Sequence, residues 1–337
     1  MTKLAVHYMG IPLKNPIIVG SSNMVNNPEM LKRLQDAGAG AIVYKSLFEE
    51  QIQLESIQFQ DEMELYNERN AEMISLYPDM QHAGPEEYLL KLKEAKAMLD
   101  IPLIGSLNCV FTETWVEYAQ LIEQAGVDGL ELNFFSVPRD FTTEAKSIED
   151  EQIAVVEQVC KKVKIPVSVK LSPFYTNTLQ MIKRMEKAGA KAFVLFNRMF
   201  EPDINLDTLQ HSTPFNLSTE GDYRLALRYA GVLYGNTESS ICSSSGIYTG
   251  TDLAKMILAG ADAVQMVSAL YKHKPELISN VLADLEKFMD NHGFENLEAF
   301  RGTLSKAAVK DPYIYKRAQY IDLMLHSEKI FKKYPMA

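Results

Sequence analysis

A handful of residues stand where chemistry needs them. In LELNFFSVPRD (130–140) a strand-like run, with Gly129, Glu131 and Asn133 alternating with leucines, ends at Asn133. Ser136 follows three residues on, in a loop with Phe134, Phe135 and Pro138. Lys45 closes AIVYK and Lys170 closes PVSVK. An ammonium inside a protein is costly unless it meets an anion or hydrogen-bond acceptors. Each lysine can therefore hold an anionic cofactor, or one can form a Schiff base as in an aldolase. The plainer use is a salt bridge across a rim to Glu131 or another carboxylate. The Gly- and Ser-rich turns CSSSGIYTG (242–250) and QMVSALY (265–271) offer backbone N–H groups of the kind that hold phosphate. Gly246 lets backbone come close to a ligand. None of the six histidines lies at a strand end or beside Ser136, and no GxSxG occurs, so a Ser-His-Asp hydrolase finds no support.

A repeated phrase positions these residues. DAGAGAIVYKS, QAGVDGLELN, KAGAKAFVLFN and LAGADAVQMVS each follow an amphipathic stretch. In each, Ala-Gly marks a helix end, because glycine takes the left-handed cap, and the apolar run behind it reads as a buried parallel strand. IPLIGSLN and IPVSVKLS open two more strands after proline, and NPIIVGSS and SSICSSSG complete eight. Eight strands alternating with helices over about 250 residues predict an α/β fold, the (β/α)8 TIM barrel. A doubly wound open sheet fits less well, since no GxGxxG opens a helix. Period-two alternation then groups Ala41, Val43 and Lys45 on one face; likewise Ser106 and Asn108; Gly129, Glu131 and Asn133; Ser168 and Lys170; and Phe193, Leu195 and Asn197. Polar residues thus converge on the carboxyl ends of the strands, where barrels build active sites.

The barrel is expected over 1–303, with a polar insertion at about 48–88 after strand two and a helical C-terminal extension over 304–337. With 337 residues, 47% hydrophobic and 23% charged, the chain has an ordinary globular balance. A net charge of -10 and the lack of a basic run argue against nucleic acid. The start MTKLAVHYMG has no apolar signal region and no run reaches membrane-span length. Cys109, Cys160 and Cys242 form no CxxC, so no metal site, iron–sulfur centre or disulfide framework is expected, and a cytoplasmic setting fits.

In this order and spacing, GIPLKNPIIVGSS, YKS, LELNFFS, IPVSVKLSP, FVLFN and SSSGIYTGTDLAKMILAGADAVQMVSALY resemble the dihydroorotate dehydrogenase family of FMN-dependent barrels, which includes a domain of dihydropyrimidine dehydrogenase. FMDNHGFENLEAFRGTLS resembles the end of its soluble class 1 branch, and the resemblance spans about 4–303. It implies an FMN oxidoreductase that turns dihydroorotate into orotate in pyrimidine biosynthesis, and a homodimer. It implies that Gly20, Ser21 and Ser22 line the flavin, and that Lys45 and Ser46 approach N5 and O4. Lys170 would lie by the N1/O2 edge. Asn133 would touch flavin and substrate, and Asn197 the substrate ring. Ser245, Gly246, Val267 and Ser268 would cradle the phosphate. The general base falls on Ser136, where soluble members usually carry cysteine; a serine needs a relay through water or another hydroxyl. Phe135, Val137 and Pro138 replace the residues around the base, and a second substrate asparagine is missing. EMISLYPDM (72–80) is the nearest match to the substrate loop. Ser245 and Val267 replace glycines, and Arg198 stands where a small residue is usual. Arg198 and Arg139 can take a carboxylate in a two-pronged grip. Another cyclic amide or enoate is the alternative substrate within this fold, and the Schiff-base aldolase the alternative outside it.

Overall fold

Apolar runs form the strands and the amphipathic stretches between them the helices. The computed structural model describes residues 3–52, 85–109, 111–135, 141–199, 201–326, 328 and 332. The strands are β1 (Ile17–Val19), β2 (Ala41–Val43), β3 (Leu103–Asn108), β4 (Gly129–Asn133), β5 (Val167–Leu171), β6 (Ala192–Leu195), β7 (Ser240–Ser244) and β8 (Ala263–Met266). Following them in turn are α1 (Pro28–Asp36), α2 (Pro85–Met98), α3 (Thr112–Gln124), α4 (Ala145–Lys162), α5 (Thr178–Ala188), α6 (Arg224–Leu233), α7 (Gly250–Ala259) and α8 (Leu277–His292). The repeated phrase does what its glycines imply. Gly38, Gly126, Gly189 and Gly260 end their helices with φ of 107°, 88°, 119° and 122°, a region costly for any side chain.

Each strand pairs in parallel with the next, and β8–β1 and β2–β3 pairings complete a closed ring. The fold is the (β/α)8 barrel. A two-residue strand, Leu47–Phe48, carries on beyond β2 and pairs with β3. Register sets Glu131 beside Ser106 and Ser168, and Asn133 beside Lys170. These inward residues are joined by Gln265 of β8, whose amide reaches across the axis to Glu131 of the opposite strand β4.

Alternation fails on one strand. Ala192 and Val194, rather than Phe193 and Leu195, stand beside the inward Ser168 and Lys170. Small side chains leave room in an interior already holding Lys170, and the larger pair turns towards the helices. Beyond Leu195 the strand ends and period two no longer applies. Phe196 packs edge-on against Tyr229 of α6, and Asn197 returns to the interior.

The amino end of the barrel is plugged by a hairpin, Val6–Tyr8 paired with Ile11–Leu13. Positive φ at Met9 and Gly10 makes the tight turn, whose Met9 N–H donates to Ser240 Oγ of β7. Met9 and Ile11 fill the space that a side chain at Gly129 would need, and Tyr8 is wholly buried. Most of the expected insertion, 53–84 with its EMISLYPDM segment, lies outside the described residues. Past residue 304, a 3-10 turn (Pro312–Tyr315) leads to α9 (Ala318–Leu325), none of whose residues is buried. Tyr315 tacks this segment down, with its hydroxyl donating to Leu304 O at 2.7 Å and its ring against Gly231 of α6.

Candidate active site

The carboxyl ends of the strands gather the polar side chains in three groups. The first is the interior itself. Lys170 Nζ donates to Gln265 Oε1 at 3.2 Å, and Gln265 Nε2 donates to Glu131 Oε2 at 2.5 Å. Lys170 is 8% exposed and Glu131 0%. In place of the plainer alternative, a Lys170–Glu131 salt bridge, the two charges meet through an amide. Burial pushes the Glu131 carboxyl up, while the Lys170 charge and the Gln265 N–H pull it back.

The second group lies at the rim. Asn197 Nδ2 donates to Asn133 Oδ1 at 2.5 Å. Ser46 N–H donates to Ser21 Oγ at 2.9 Å, and the Ser46 hydroxyl meets those of Ser21 and Ser106 at 3.1 and 2.7 Å. Lys45 is half-buried, and its amine is held below the usual lysine range by desolvation and by the Lys91 charge. Tyr88 fixes the turn by donating to Lys45 O at 2.8 Å. Ser22 Oγ and Asn108 Nδ2 are buried with no hydrogen-bond partner among the described residues.

The third group is the pair of turns after β7 and β8. A cavity of about 190 Å³ is lined by Ser21, Lys170, Asn197, Arg198, Gln265 and Val267, and by Ser245, Gly246 and Ser268 of these turns. Gly246 is needed for close approach, but to the protein itself. A Cβ there would lie 2.6 Å from Tyr223 N and 2.9 Å from both Asp222 N and Thr219 O. Gly20 likewise answers Val267, whose Cγ2 would lie 2.7 Å from an added Cβ. Ser218 ties the turns together: its hydroxyl accepts from Gly246 N–H at 3.1 Å and its N–H donates to Ser268 Oγ at 2.9 Å.

Eight of the residues singled out in the sequence therefore line one cavity. Ser46 and Asn133 reach it through Ser21 and Asn197. Gly20, Ser22 and Lys45 are not among its lining residues. Arg198 sits at the wall with its guanidinium already engaged: Nε donates to Asn216 O at 2.6 Å, Nη2 to Asn216 Oδ1 at 2.7 Å and Nη1 to Asp222 Oδ2 at 2.9 Å. Ser136 and Arg139 lie outside the described residues. Sequence reading passed over Gln265 and Ser218. Asn108 was grouped with Ser106 on one inward strand face, without a role of its own.

A family model described as dihydroorotate dehydrogenase matches residues 3–289. The chain belongs to the dihydroorotate dehydrogenase family. It is an oxidoreductase that acts on a CH–CH bond, in a family of flavoproteins. The catalytic subunit of dihydroorotate dehydrogenase B (NAD(+)) from Thermoplasma volcanium is 30% identical over 317 residues, covering 91% of this chain and 100% of the relative. The same-named subunit from Methanocaldococcus jannaschii is 28% identical, covering 85% and 93%. The chloroplastic dihydropyrimidine dehydrogenase (NADP(+)) of Arabidopsis thaliana is 26% identical, covering 89% and 76%. Membership of this family sets the lysine-aldolase alternative aside. Among the described residues, no helix is long and apolar enough to cross a membrane.

Proposed function

We propose that this protein is an FMN-dependent dihydroorotate dehydrogenase, which oxidises dihydroorotate to orotate in pyrimidine biosynthesis. One observation carries the reading. In a chain of this family, a single cavity runs from Lys170 and Asn197 to the serines and glycine of the β7 and β8 turns. Ser22 Oγ and Asn108 Nδ2, which have no partner among the described residues, support it, because buried polar groups normally have partners and a ligand would supply them. FMN, when bound, accepts the hydride that leaves the carbon next to the deprotonated one.

The chain's own residues do the rest. Ser245, Gly246, Val267 and Ser268 would hold the phosphate, and Gly20, Ser21 and Ser22 would line the flavin. Lys45 and Ser46, the latter fixed by Ser21, would approach its N5/O4 side. Lys170, already aimed by Gln265, would offset negative charge at its N1/O2 edge. Asn133 and Asn197, mutually bonded, orient the substrate ring. Ser136 takes the proton through a relay. Ser136→Ala is expected to slow flavin reduction by substrate about 10²–10⁴-fold, with flavin binding unchanged; an unaltered stopped-flow rate removes Ser136 from the chemistry.

A second reading, an uncharged cyclic amide as substrate, is favoured by one contact. Arg198, one of the two arginines expected to receive the carboxylate, is held by Asn216 and Asp222. A relative named dihydropyrimidine dehydrogenase agrees with it. The absorbance spectrum of the purified protein, before and after anaerobic dihydroorotate, decides. A flavin spectrum that bleaches supports the first reading. One that bleaches only with dihydrouracil supports the second. No flavin after FMN is added back sinks both. The names of two relatives as catalytic subunits favour a companion chain that takes the electrons; a homodimer is the other assembly proposed. Three cysteines without a disulfide agree with a cytoplasmic setting.

A further inference from the structure

The barrel interior holds a carboxylate that the proposed chemistry does not use. Glu131 is fully buried, its Oε2 accepts from Gln265, and its Oε1 has no partner among the described residues. Gln265 turns its N–H to the carboxylate and its carbonyl to the Lys170 ammonium, so one amide joins two opposite charges. The groups that face Glu131 are Lys170 from β5, Cys242 from β7 and Tyr8 from the hairpin plug. Register adds Ser106 and Ser168 beside it. Burial holds the Cys242 thiol and the Tyr8 phenol well above their ordinary values, so both stay neutral. The charge facing Glu131 is that of Lys170.

We propose that Glu131 is the charge-balancing partner of Lys170, ionised while the ammonium has no other anion and protonated when an anion forms beside it. The inference rests on the reading that a flavin lies against Lys170. Two charges in a poorly polarisable interior cost least when they cancel. Negative charge arriving at Lys170 cancels the field that keeps Glu131 ionised. Burial then prevails, and the carboxylate takes a proton. That proton comes from solvent. It is separate from the hydride, which carries both electrons, and from the proton taken by the base. No bond to carbon or flavin forms at Glu131, so it is a positioning residue. Reduction of the flavin then becomes easier as pH falls, beyond the dependence the flavin itself brings.

The test is the slope of the flavin midpoint potential against pH in the FMN-loaded protein, which counts protons taken up per electron pair. Wild type is expected to exceed Glu131→Gln by up to one proton per flavin. Equal slopes overturn the proposal. Glutamine keeps the shape and an acceptor for Gln265, and Lys170→Met serves if that variant does not fold, with an expected slope equally free of the extra proton. A second readout needs no flavin. The infrared band of a protonated buried carboxyl is expected to be weak in wild type and to appear in Lys170→Met. It should be missing from the double variant with Glu131→Gln. A band already full in wild type at neutral pH overturns the proposal. A protein that takes up no FMN fails the functional reading, while the infrared comparison still tests the pairing.

Discussion

Ser245 and Gly246 sit side by side in left-handed conformation, with φ of 72° and 69°. The serine bears a strain that glycine would not, of roughly 1 kcal/mol. Ser245→Gly is therefore expected to stabilise the fold by up to about 1 kcal/mol in denaturant melts, net of glycine's greater chain entropy. Gly246→Ala should do the opposite. It adds the φ strain and drives a methyl into the backbone of the 219–223 turn, a loss of about 2 kcal/mol or more. If that melt is unchanged, the close approach does not exist. The need for glycine at 246 was legible in the sequence; what approaches it was not, because the turn comes from another part of the chain. Gln265 was hidden for a like reason. A glutamine in an apolar run gives no hint of its use until the ring closes and places β8 opposite β4.

At the scale of elements, the repeated Ala-Gly phrase does more than end helices. Two of its copies carry aspartate just before the strand. Asp128 accepts from Leu103 N–H, at the start of β3, at 2.8 Å. Asp262 accepts from Ile241 N–H in β7 at 2.7 Å. Each aspartate thus latches the strand before its own, and each is answered by a cation, Lys96 and Arg301. Glu186, from α5, makes a similar latch on Glu238 and Ser239 N–H at 2.8 and 3.1 Å. Burial works against its charge, but Lys183, Thr237 and the two N–H groups outweigh it and hold its carboxyl at about 2. Asp262 differs: burial pushes its carboxyl up although Arg301 opposes this. A carboxyl raised on folding lowers stability as pH rises through its folded value. Arg301→Met removes the opposing charge and is expected to cost about 3 kcal/mol at neutral pH. The loss should shrink towards acid pH, where Asp262 protonates. A loss independent of pH would mean that Arg301 contributes packing alone.

Across the whole molecule, the strand count, the glycine caps and the rim of polar strand ends were readable because local period and cap chemistry set them. The facing of β6 was not, since bulk inside the barrel, rather than alternation in sequence, turned Phe193 and Leu195 outward. Arg198 read as free because Asn216 and Asp222 lie 18 and 24 residues on. The C-terminal segment read as helical and amphipathic, and α9 presents Tyr320, Ile321, Leu323, Met324 and Leu325 to solvent. A chain cut after Lys316, which keeps Tyr315, is expected to melt within about 1 kcal/mol of the full chain, since α9 buries nothing of its own. It should also self-associate less in sedimentation; unchanged association would place any contact between copies elsewhere.

The hairpin plug has a further consequence. With Tyr8, Met9 and Ile11 filling the amino end, the described residues leave the interior of the barrel to open towards the carboxyl ends of the strands. Water and protons that reach Lys170 and Glu131 would then enter from the side where a flavin would sit, so the loaded protein is expected to exchange them with solvent more slowly than the empty one, without closing them off.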